Sequence, residues 1–342
     1  MKAIWISNLT LAAIVLGAIF TALAIRRSRI WSEACSSLWK RRPIAISIVA
    51  VYLFIGAADA IVWMGGSSSA AHGDNVAAFE PRSIIDVIFS NLKETTYSAP
   101  LATTELGTGT PLKHPHRHLL GTDLLGRDVL FVTLKGIRKA LLLGGITTLL
   151  VIPIALLFGV SAGFLGGIID DIVLFIMQTL AVIPGLLLLI AIIMALGRGT
   201  LQVCLALAVT SWVGFCRLSR AETLKLREMD YVEAARALGV SNIKIVWRHI
   251  IPNLGHLIVI TFTLFFCTRI LSETALAYLG IGIDGSWGQM IDQARNELSR
   301  DPVIWWNLTA AAGALLILIL AVNLIGDAAR DVMDPRTLKE KE

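Results

Sequence analysis

The chain has 342 residues, of which 56% are hydrophobic and 16% charged, and its mean hydropathy is +0.73. A water-soluble domain carries about 25% charged residues, so this composition excludes a soluble monomer and indicates an integral membrane protein. The formal net charge of +5 at pH 7 is spread between apolar runs instead of along one face. That distribution favours membrane lipid over nucleic acid as the partner of the basic residues.

Seven apolar stretches are long enough, or nearly long enough, to cross a bilayer core as helices. They are residues 3–25, 44–64, 140–164, 172–196, 201–218, 257–281 and 303–326. Apolar runs such as 186–190 do not alternate in polarity, which argues against the strands of a β-barrel. The sequence therefore predicts an all-α, polytopic transmembrane helical bundle.

The basic residues also predict the orientation, because cytoplasmic flanks retain Lys and Arg. Placing 26–43, 165–171, 217–256 and 327–342 inside keeps the basic clusters in the cytoplasm. The N-terminus is then outside and the C-terminus cytoplasmic.

Residues 1–24 imitate a cleavable signal peptide, with Lys2, an apolar stretch and the sequence Ala22-Leu23-Ala24. Arg26, Arg27 and Arg29 follow directly and would have to cross the membrane in that case. We therefore interpret residues 1–43 as an extra, retained N-terminal helix with a basic cytoplasmic linker.

The rest of the chain divides at the predicted spans. Residues 44–64 form the first core span, 65–139 an extracytoplasmic loop, 140–326 the transmembrane core and 327–342 a cytoplasmic tail. The core includes a cytoplasmic segment at 219–255.

The extracytoplasmic loop has two distinct parts. Apolar residues at helical spacing from Ile84 to Leu92 predict a short amphipathic helix on the membrane, and the Thr-, Gly- and Pro-rich stretch 94–118 predicts irregular structure. We interpret His114, His116 and His118 as a solvated loop, not a metal site, because His-rich tracts are only compositional evidence for metal.

The cytoplasmic segment reads as two short helices that meet at a tight bend. Asp230 followed by Glu233 has the form of a capping box and predicts a helix that runs through Leu238 and ends at Gly239. Ser241 is predicted to cap the second helix, which ends at Pro252. One side of that second helix is predicted to carry Ile243, Val246, Trp247 and Ile250. The alanines of the first helix predict a small-residue surface for another protein, and a helix resting on lipid is the alternative.

At this segment the chain resembles permease subunits of ABC importers. Glu233-Ala234-Ala235, Gly239 and Ile251-Pro252-Asn253 are similar to the EAA signature of that family. The resemblance implies a coupling helix that seats on a cytoplasmic ATPase. Its docking residues would be Asp230, Tyr231, Glu233, Ala234, Ala235, Arg236, Ala237, Leu238 and Gly239.

A second motif points to the dipeptide, oligopeptide and nickel class of these permeases. It comprises Gly121, Thr122, Asp123, Gly126, Arg127 and Asp128 and is similar to the extracytoplasmic motif of that class. The resemblance extends over about residues 112–336 and is strongest to the C-type permease. It implies a type I importer permease fold with six core spans plus one extra N-terminal span, in a bacterial inner membrane.

The same resemblance implies the function and the partners. The chain would form half of the translocation pathway for peptides or a similar small solute. Its partners would be a second homologous permease, two cytoplasmic ATPase subunits and an extracytoplasmic substrate-binding protein. The sequence holds no GxxxxGK[ST] motif, so we expect no enzyme activity and no cofactor in this chain, with ATP hydrolysis on the partner subunits.

Ionisable residues within predicted spans are candidates for the translocation path. Arg269 and Glu273 are four residues apart and can pair. A place on the path and a structural pair both remain open. Pro184 is expected to kink its helix and widen the path, and Asp59 is expected near the outer headgroups.

Two other functional classes remain open from the residues alone. An ion-coupled secondary transporter is suggested by Glu273 and Asp59. A non-transporting receptor or scaffold would use the long outer loop as its working part.

Overall fold

The computed structural model describes residues 42–67, 79–89, 92–197 and 199–333. The predicted first helix at 3–25, nearly all of its basic linker and most of the predicted C-terminal tail lie outside the described residues.

The described chain is mostly helical. Its helices before the cytoplasmic segment are α1 (Pro43–Ala60), α2 (Ile84–Ile88), α3 (Val129–Leu165), α4 (Gly167–Val182), α5 (Gly185–Leu196) and α6 (Thr200–Leu226). The cytoplasmic segment holds α7 (Asp230–Ala237), α8 (Asn242–Ile245), a π-helical turn (Val246–Ile250) and α9 (Ile251–Asn253). After it come α10 (Gly255–Tyr278), α11 (Trp287–Glu297) and α12 (Trp306–Met333).

The helices confirm the predicted transmembrane bundle. Within the described residues, five helices are long and apolar enough to cross a membrane, namely α1, α3, α6, α10 and α12. The pair α4 and α5 passes the same test together. Each predicted span from 44–64 onward thus has a helical counterpart. A short antiparallel ribbon, which the sequence analysis missed, joins β1 (Val62–Ser67) to β2 (Phe79–Ser83) with Val62 opposite Ser83.

The predicted span at 172–196 is broken into two helices, not kinked as one. Helices α4 and α5 meet at an angle of 92°. Ile183 has extended backbone angles, and Pro184 is the N-cap of α5. A proline disfavours the helical conformation in the residue before it and lacks the N–H that would continue the helix. Both effects end α4 at this point.

Two helices extend well beyond the predicted membrane-crossing stretches. Helix α3 begins at Val129 and not at residue 140, so part of the predicted outer loop is helical. Helix α6 continues to Leu226, past the expected end at residue 218. Apolar run length marks only the part of a helix suited to lipid, whereas backbone hydrogen bonding continues into polar sequence.

The chain divides into two compact units. The first comprises the described residues up to Leu141 together with Ala277–Ala321. In it, Trp287 of α11 donates its Nε1 hydrogen to the Thr133 carbonyl oxygen at 2.9 Å, and Tyr52 of α1 packs edge-on against the same indole. Tyr52 also donates to the Ala314 carbonyl of α12 at 2.9 Å. These contacts tie four helices of the unit together.

The second unit comprises Leu142–Leu276 and the chain from Val322. Its core is built where α3, α4 and α6 pack together. The buried core residues are Val151, Ile152, Ala155, Ala162, Val173, Met177, Ala208, Trp212, Phe215 and Cys216. This unit carries the whole cytoplasmic segment.

Candidate functional site

Helix α7 has the predicted extent, but it begins differently. It runs from Asp230 to Ala237, and its N-cap is Met229, which makes no side-chain capping bond. The predicted capping box is therefore wrong. Asp230 occupies the first helical position instead, where its carboxylate still interacts favourably with the helix dipole.

The end of α7 is the predicted glycine stop. Gly239 has φ +75°, in the left-handed region that favours glycine. Its N–H donates to the Arg236 carbonyl at 3.0 Å, and the Val240 N–H donates to the Ala235 carbonyl at 3.1 Å. These two bonds form a Schellman motif, which fixes the bend toward the second short helix.

One face of α7 is buried against the C-terminal end of α3. Val232 is fully buried and Ala235 is 8% exposed, and both pack in a cluster with Val160 and Phe164 of α3. Arg236 lies over the Phe164 ring with its guanidinium carbon 5.5 Å from the ring centroid. Ala235 therefore belongs to the anchoring side of the helix, which corrects its predicted place on the exposed alanine surface.

The opposite face of α7 is open. Ala234 and Ala237 are exposed, and Leu238 is 84% exposed. The other exposed docking candidates are Asp230, Tyr231, Glu233, Arg236 and Gly239. Eight of the nine predicted docking residues thus share an accessible surface, which has small residues at its centre and charged residues at its rim.

The second short helix presents a different face from the predicted one. Ile245 and Ile250 are fully buried, whereas Ile243 and Trp247 are 74% and 68% exposed. The cause is the π-helical turn Val246–Ile250. A π-turn aligns residues five apart, so Ile245 and Ile250 face the core together. Ser241 is the N-cap as predicted, although its side chain makes no capping bond.

The two short helices are also joined by polar side chains. Asn253 Nδ2 donates to the Tyr231 hydroxyl at 3.2 Å and to the His249 carbonyl at 2.6 Å. The rings of Tyr231 and His249 lie 6.0 Å apart. The Asn of the apolar-Pro-Asn ending thereby holds the first turn of α7 against the second helix.

Glycines bring α3 and α6 into close contact beneath this segment. A Cβ at Gly159 would lie 2.1 Å from Ser219 Oγ, and one at Gly163 would lie 2.8 Å from the Arg220 carbonyl oxygen. Spacing of the form small-xxx-small lets two membrane helices approach closely. Gly159 is not among the residues predicted above, although the sequence contains the pattern Gly159-x-x-x-Gly163.

Polar bonds fasten the same helix contact. Arg220 Nε and Nη2 donate to the two carboxylate oxygens of Asp170 at 2.5 and 2.6 Å. Arg227 Nη1 donates to the Gly163 carbonyl at 3.0 Å. The base on which α7 sits is therefore braced by α4 and α6 as well as by α3.

The extracytoplasmic motif 121–128 forms a tight turn that leads into α3. Asp123 Oδ1 accepts hydrogen bonds from the backbone of Leu125 and Arg127, each at 2.9 Å, and Arg127 Nε donates to Asp123 Oδ2 at 2.8 Å. Asp128 Oδ1 accepts from the backbone of Leu130 at 2.8 Å, which caps the start of α3.

Glycine and threonine of the same motif fasten it to the rest of the first unit. Thr122 Oγ1 donates to the Thr96 carbonyl at 2.8 Å, and its own carbonyl accepts from Trp306 Nε1 at 3.0 Å. Gly121 has φ +73°, and a Cβ there would lie 2.5 Å from the Ser98 carbonyl oxygen. The motif residues thus build a fixed turn.

Behind this turn lies a buried cluster of His and carboxylate groups. His118 is 1% exposed, with Nδ1 2.9 Å from Asp128 Oδ2 and Nε2 3.4 Å from Glu94 Oε1. His114 Nδ1 lies 3.3 Å from the same Glu94 oxygen. His118 is therefore a buried partner of two acids, which corrects the prediction of a solvated loop for this residue, whereas His116 is exposed as predicted. Among the residues that the structure describes, no group of three or more His, Cys, Asp or Glu side chains is arranged so that it could hold a metal ion.

Hydrogen bonds set the ionisation of Glu94. Burial acts to raise the pKa of this carboxyl group. Bonds from the backbone N–H groups of Lys113 and His114, with those from the two imidazoles, outweigh burial and leave the pKa below its usual value. Glu94 is thus held as a carboxylate within the cluster.

A second buried acid in the first unit, Glu297, has a raised pKa, in contrast to Glu94. Glu297 is 3% exposed and accepts hydrogen bonds from the Tyr97 hydroxyl at 3.1 Å and from Asn307 Nδ2 at 3.1 and 3.2 Å. Burial raises the pKa of Glu297 despite these bonds. Burial, together with the charge of Glu297, raises the pKa of Tyr97 to about 12, so this hydroxyl remains a donor.

Asp59 is buried, not solvated at the headgroups as predicted. It is 4% exposed and accepts a hydrogen bond from Ser83 Oγ at 2.8 Å. Lys135 Nζ lies 3.4 Å from one of its carboxylate oxygens and Arg138 Nη1 lies 3.8 Å from the other. The carboxylate therefore joins α1, α2 and α3.

The three pathway candidates lie in separate settings. Pro184 is at the break between α4 and α5, and Glu273 of α10 is 4% exposed. Arg269 of α10 donates from Nη1 to Ser211 Oγ on α6, and its guanidinium carbon lies 5.2 Å from the Phe265 ring centroid. The hydrogen bond and the ring contact of Arg269 thus go to α6 and to its own helix. The sequence indicates that Arg269 can pair with Glu273 and leaves a structural pair and a place on the path both open; the contacts recorded for Arg269 go to Ser211 and Phe265.

Comparison with known proteins decides the family. A sequence profile of the binding-protein-dependent transport system inner membrane component matches residues 155–339, more than half of the chain. The chain belongs to this family. The matched region contains α6, the cytoplasmic segment and α10.

Curated relatives agree. The oligopeptide transport system permease protein OppC of Bacillus subtilis is 34% identical over 225 residues, covering 65% of this chain and 73% of that protein. The glutathione transport system permease protein GsiD of Pectobacterium atrosepticum is 35% identical, covering 64% of this chain and 73% of that protein. A solved structure of the MetNI methionine ABC transporter is similar with a TM-score of 0.49 and 20% identity over 60% of this chain and 98% of that one.

The chain is accordingly a membrane-spanning permease subunit of an ABC importer. The family functions in an importer complex with ATPase and binding-protein partners, and its description places the component in the inner membrane. The permease prediction is confirmed, and the readings as an ion-coupled transporter or a non-transporting scaffold are not supported.

Proposed function

We propose that this permease carries peptides and forms one half of a pathway whose other half is a second, homologous permease. Two cytoplasmic ATPases and an extracytoplasmic binding protein complete the complex. Peptide cargo is supported by relatives named as oligopeptide and dipeptide permeases. The extra N-terminal helix and the boundaries at 43, 64, 139 and 326 remain part of this proposal, as does an outer N-terminus with a cytoplasmic C-terminus.

Helix α7 is the proposed contact with an ATPase. The single observation that carries this role is the two-sidedness of the helix. Val232 and Ala235 anchor one side in the second unit, while Ala234, Ala237 and Leu238 leave the other side open. The small alanine side chains let the backbone of a partner approach closely. Because α7 packs directly against α3, a displacement of α7 would move α3 with it.

Charge supports the proposed orientation of this segment. Exposed basic residues follow the membrane-crossing part of α6, among them Arg217, Lys225, Arg236 and Arg248. Cytoplasmic flanks retain such residues. The ATPases would meet α7 on that side.

The test places a charge at the centre of the open face. Ala234→Asp and Ala237→Asp in the intact importer should each lower ATP-dependent uptake about tenfold or more, because a buried unpaired carboxylate weakens docking. Ala234→Ser keeps a small side chain and is the matched control. Ala235→Asp is unsuitable as a test of docking. The Ala235 side chain is buried, so a loss of uptake in that variant would reflect misfolding.

Two measurements decide the outcome. Binding-protein-stimulated ATP hydrolysis and co-purification of the ATPases should fall together with uptake, while the amount of permease in the membrane stays constant. Normal uptake and ATPase assembly in both aspartate variants would remove α7 as the contact.

A further inference from the structure

The guanidinium of Arg269 lies in a membrane-crossing helix, and its recorded contacts in the described part of the chain include no acidic side chain. Its contacts among the described residues are the Ser211 hydroxyl and the Phe265 ring. Neither carries a negative charge. A cation at membrane depth is expensive unless it faces protein, water or a compensating charge, so this arginine requires an explanation.

The free donors of this arginine lie along one edge. A guanidinium carries five N–H donors in a planar fork. The described residues engage Nη1, through Ser211, while Nε is buried and has no hydrogen-bond partner. With Nη1 occupied, Nε is a buried donor that no described residue satisfies, and a ligand that reached the edge formed by Nε and Nη2 would satisfy it. That edge matches the two oxygens of a carboxylate in a bidentate arrangement.

The arginine is also held in place before any ligand arrives. Ser211 fixes one end of the guanidinium from α6, while its own hydroxyl hydrogen is donated to the Leu207 carbonyl. Phe265 supports the planar face of the guanidinium from one turn earlier on α10. Such fixation lowers the entropy cost of binding.

The neighbourhood on α10 suits a hydrated path better than lipid. Residues 265, 268, 269 and 272 share one face of the helix, since they are spaced by three and four. Thr268 is exposed and Ser272 is partly exposed, and each hydroxyl is bonded to a carbonyl of its own helix. Polar groups next to a half-buried cation indicate a face that meets polar cargo and water.

We infer that Arg269 is a carboxylate-binding step on the translocation path and that it favours cargo with a free carboxylate. The inference rests on the proposed peptide-importer function, because an unmodified peptide carries such a group at its C-terminus. Ser211 and Phe265 are positioning residues that keep the Nε and Nη2 edge directed at the cargo.

The test compares two cargoes in the intact reconstituted importer. One is a labelled peptide with a free C-terminal carboxylate, and the other is the same peptide as its C-terminal amide. The binding protein is identical in every sample, so its own preference cancels when the acid-to-amide uptake ratio of a variant is divided by that of the wild type.

Arg269→Gln should lower uptake of the free acid about tenfold and uptake of the amide less than twofold, since hydrogen bonds to charged groups are the strong ones. Arg269→Lys should recover part of the ratio, because it restores the charge without the fork. Leu271→Ala, exposed on the opposite face of α10, should leave the ratio unchanged and is the matched control.

Each contrary result has a distinct meaning. An equal loss for both cargoes, or no loss for either, overturns the carboxylate step and leaves peptide import intact. Failure of Arg269→Gln to co-purify with the second permease would assign the arginine to a subunit contact and likewise overturn it. Absence of ATP-dependent uptake of the free-acid peptide by the wild type would remove the proposed cargo and this inference together.

Discussion

Gly126 lies so close to the backbone of Glu94 that a Cβ at position 126 would stand 2.0 Å from the Glu94 carbonyl oxygen. The Glu94 N–H in turn donates to the Gly126 carbonyl at 2.9 Å. The extracytoplasmic turn and the segment at 94 therefore form one backbone contact, in which the absence of a side chain is a packing requirement.

Gly126→Ala should destabilise the permease more than Gly109→Ala. Both glycines are left-handed, with φ +68° and +65°, so both substitutions cost about 1–2 kcal/mol of backbone strain. Only position 126 adds a collision with backbone, since a Cβ at Gly109 meets nothing within 4 Å. Thermal unfolding of the purified complex should show a midpoint roughly 5 °C lower for Gly126→Ala than for Gly109→Ala. Equal midpoints would contradict the contact.

Gly159→Ala should loosen the contact between α3 and α6, whereas Gly145→Ala should not. Alanine is a better helix former than glycine by about 1 kcal/mol, so Gly145→Ala, which meets open space, should be neutral or stabilising. At Gly159 the new methyl group meets Ser219 Oγ and, at 2.6 Å, the Cys216 carbonyl oxygen.

The matching measurement is the unfolding midpoint of each variant, together with the double variant Gly159→Ala/Ser219→Ala. Ser219→Ala removes the Ser219 hydroxyl, which is the atom nearest to the new methyl group. The double variant should therefore recover part of the stability that Gly159→Ala loses. If the double variant is no more stable than Gly159→Ala alone, Ser219 is not the obstacle.

The sequence predicts the membrane-crossing helices well because lipid imposes an apolar composition on each of them. The hydrophobic pattern does not predict which side chains are buried where the backbone departs from a regular helix. The π-helical turn at Val246–Ile250 rotates Ile245 and Ile250 inward and leaves Trp247 outside, which a regular helical spacing does not anticipate. The burial of Ala235 and of Asp59 depends on which neighbouring helix packs against each residue. Contacts between residues distant in sequence, such as Glu94 with His118, have no local signature.

Protonation of Glu297 should stabilise the folded permease in mildly acidic solution. Burial raises its pKa above the ordinary 4.5, so the folded chain binds this proton more readily than the unfolded one. The resulting stabilisation is greatest below the unfolded pKa and is lost as pH rises through the folded pKa. In the wild type, the unfolding midpoint should fall as pH rises from below 4.5 through the folded pKa of Glu297. This dependence on pH should be absent in Glu297→Gln.

Glu105 gives a control with the opposite sign. Hydrogen bonds, first that from the Thr110 hydroxyl, hold its pKa below the usual value. Its contribution is therefore present above the unfolded pKa and is lost as pH falls through the folded pKa. The wild type should lose a small amount of stability as pH falls through the folded pKa of Glu105, and Glu105→Gln should remove that loss. The pH dependence that comes from Glu297 should remain in this variant. Identical pH profiles for Glu297→Gln and the wild type would contradict the assignment.

His118→Asn should be strongly destabilising, and His116→Asn should not. His118 is buried with a carboxylate facing each ring nitrogen, and its loss leaves Glu94 and Asp128 without that partner. Leaving a buried carboxylate without its partner costs about 3–5 kcal/mol. His116 is exposed, and its backbone has φ +61°, a conformation that asparagine tolerates. Urea or thermal unfolding of the purified complex should therefore change by less than about 0.5 kcal/mol in His116→Asn, and a similar small change in His118→Asn would show that the imidazole is not needed between the two acids.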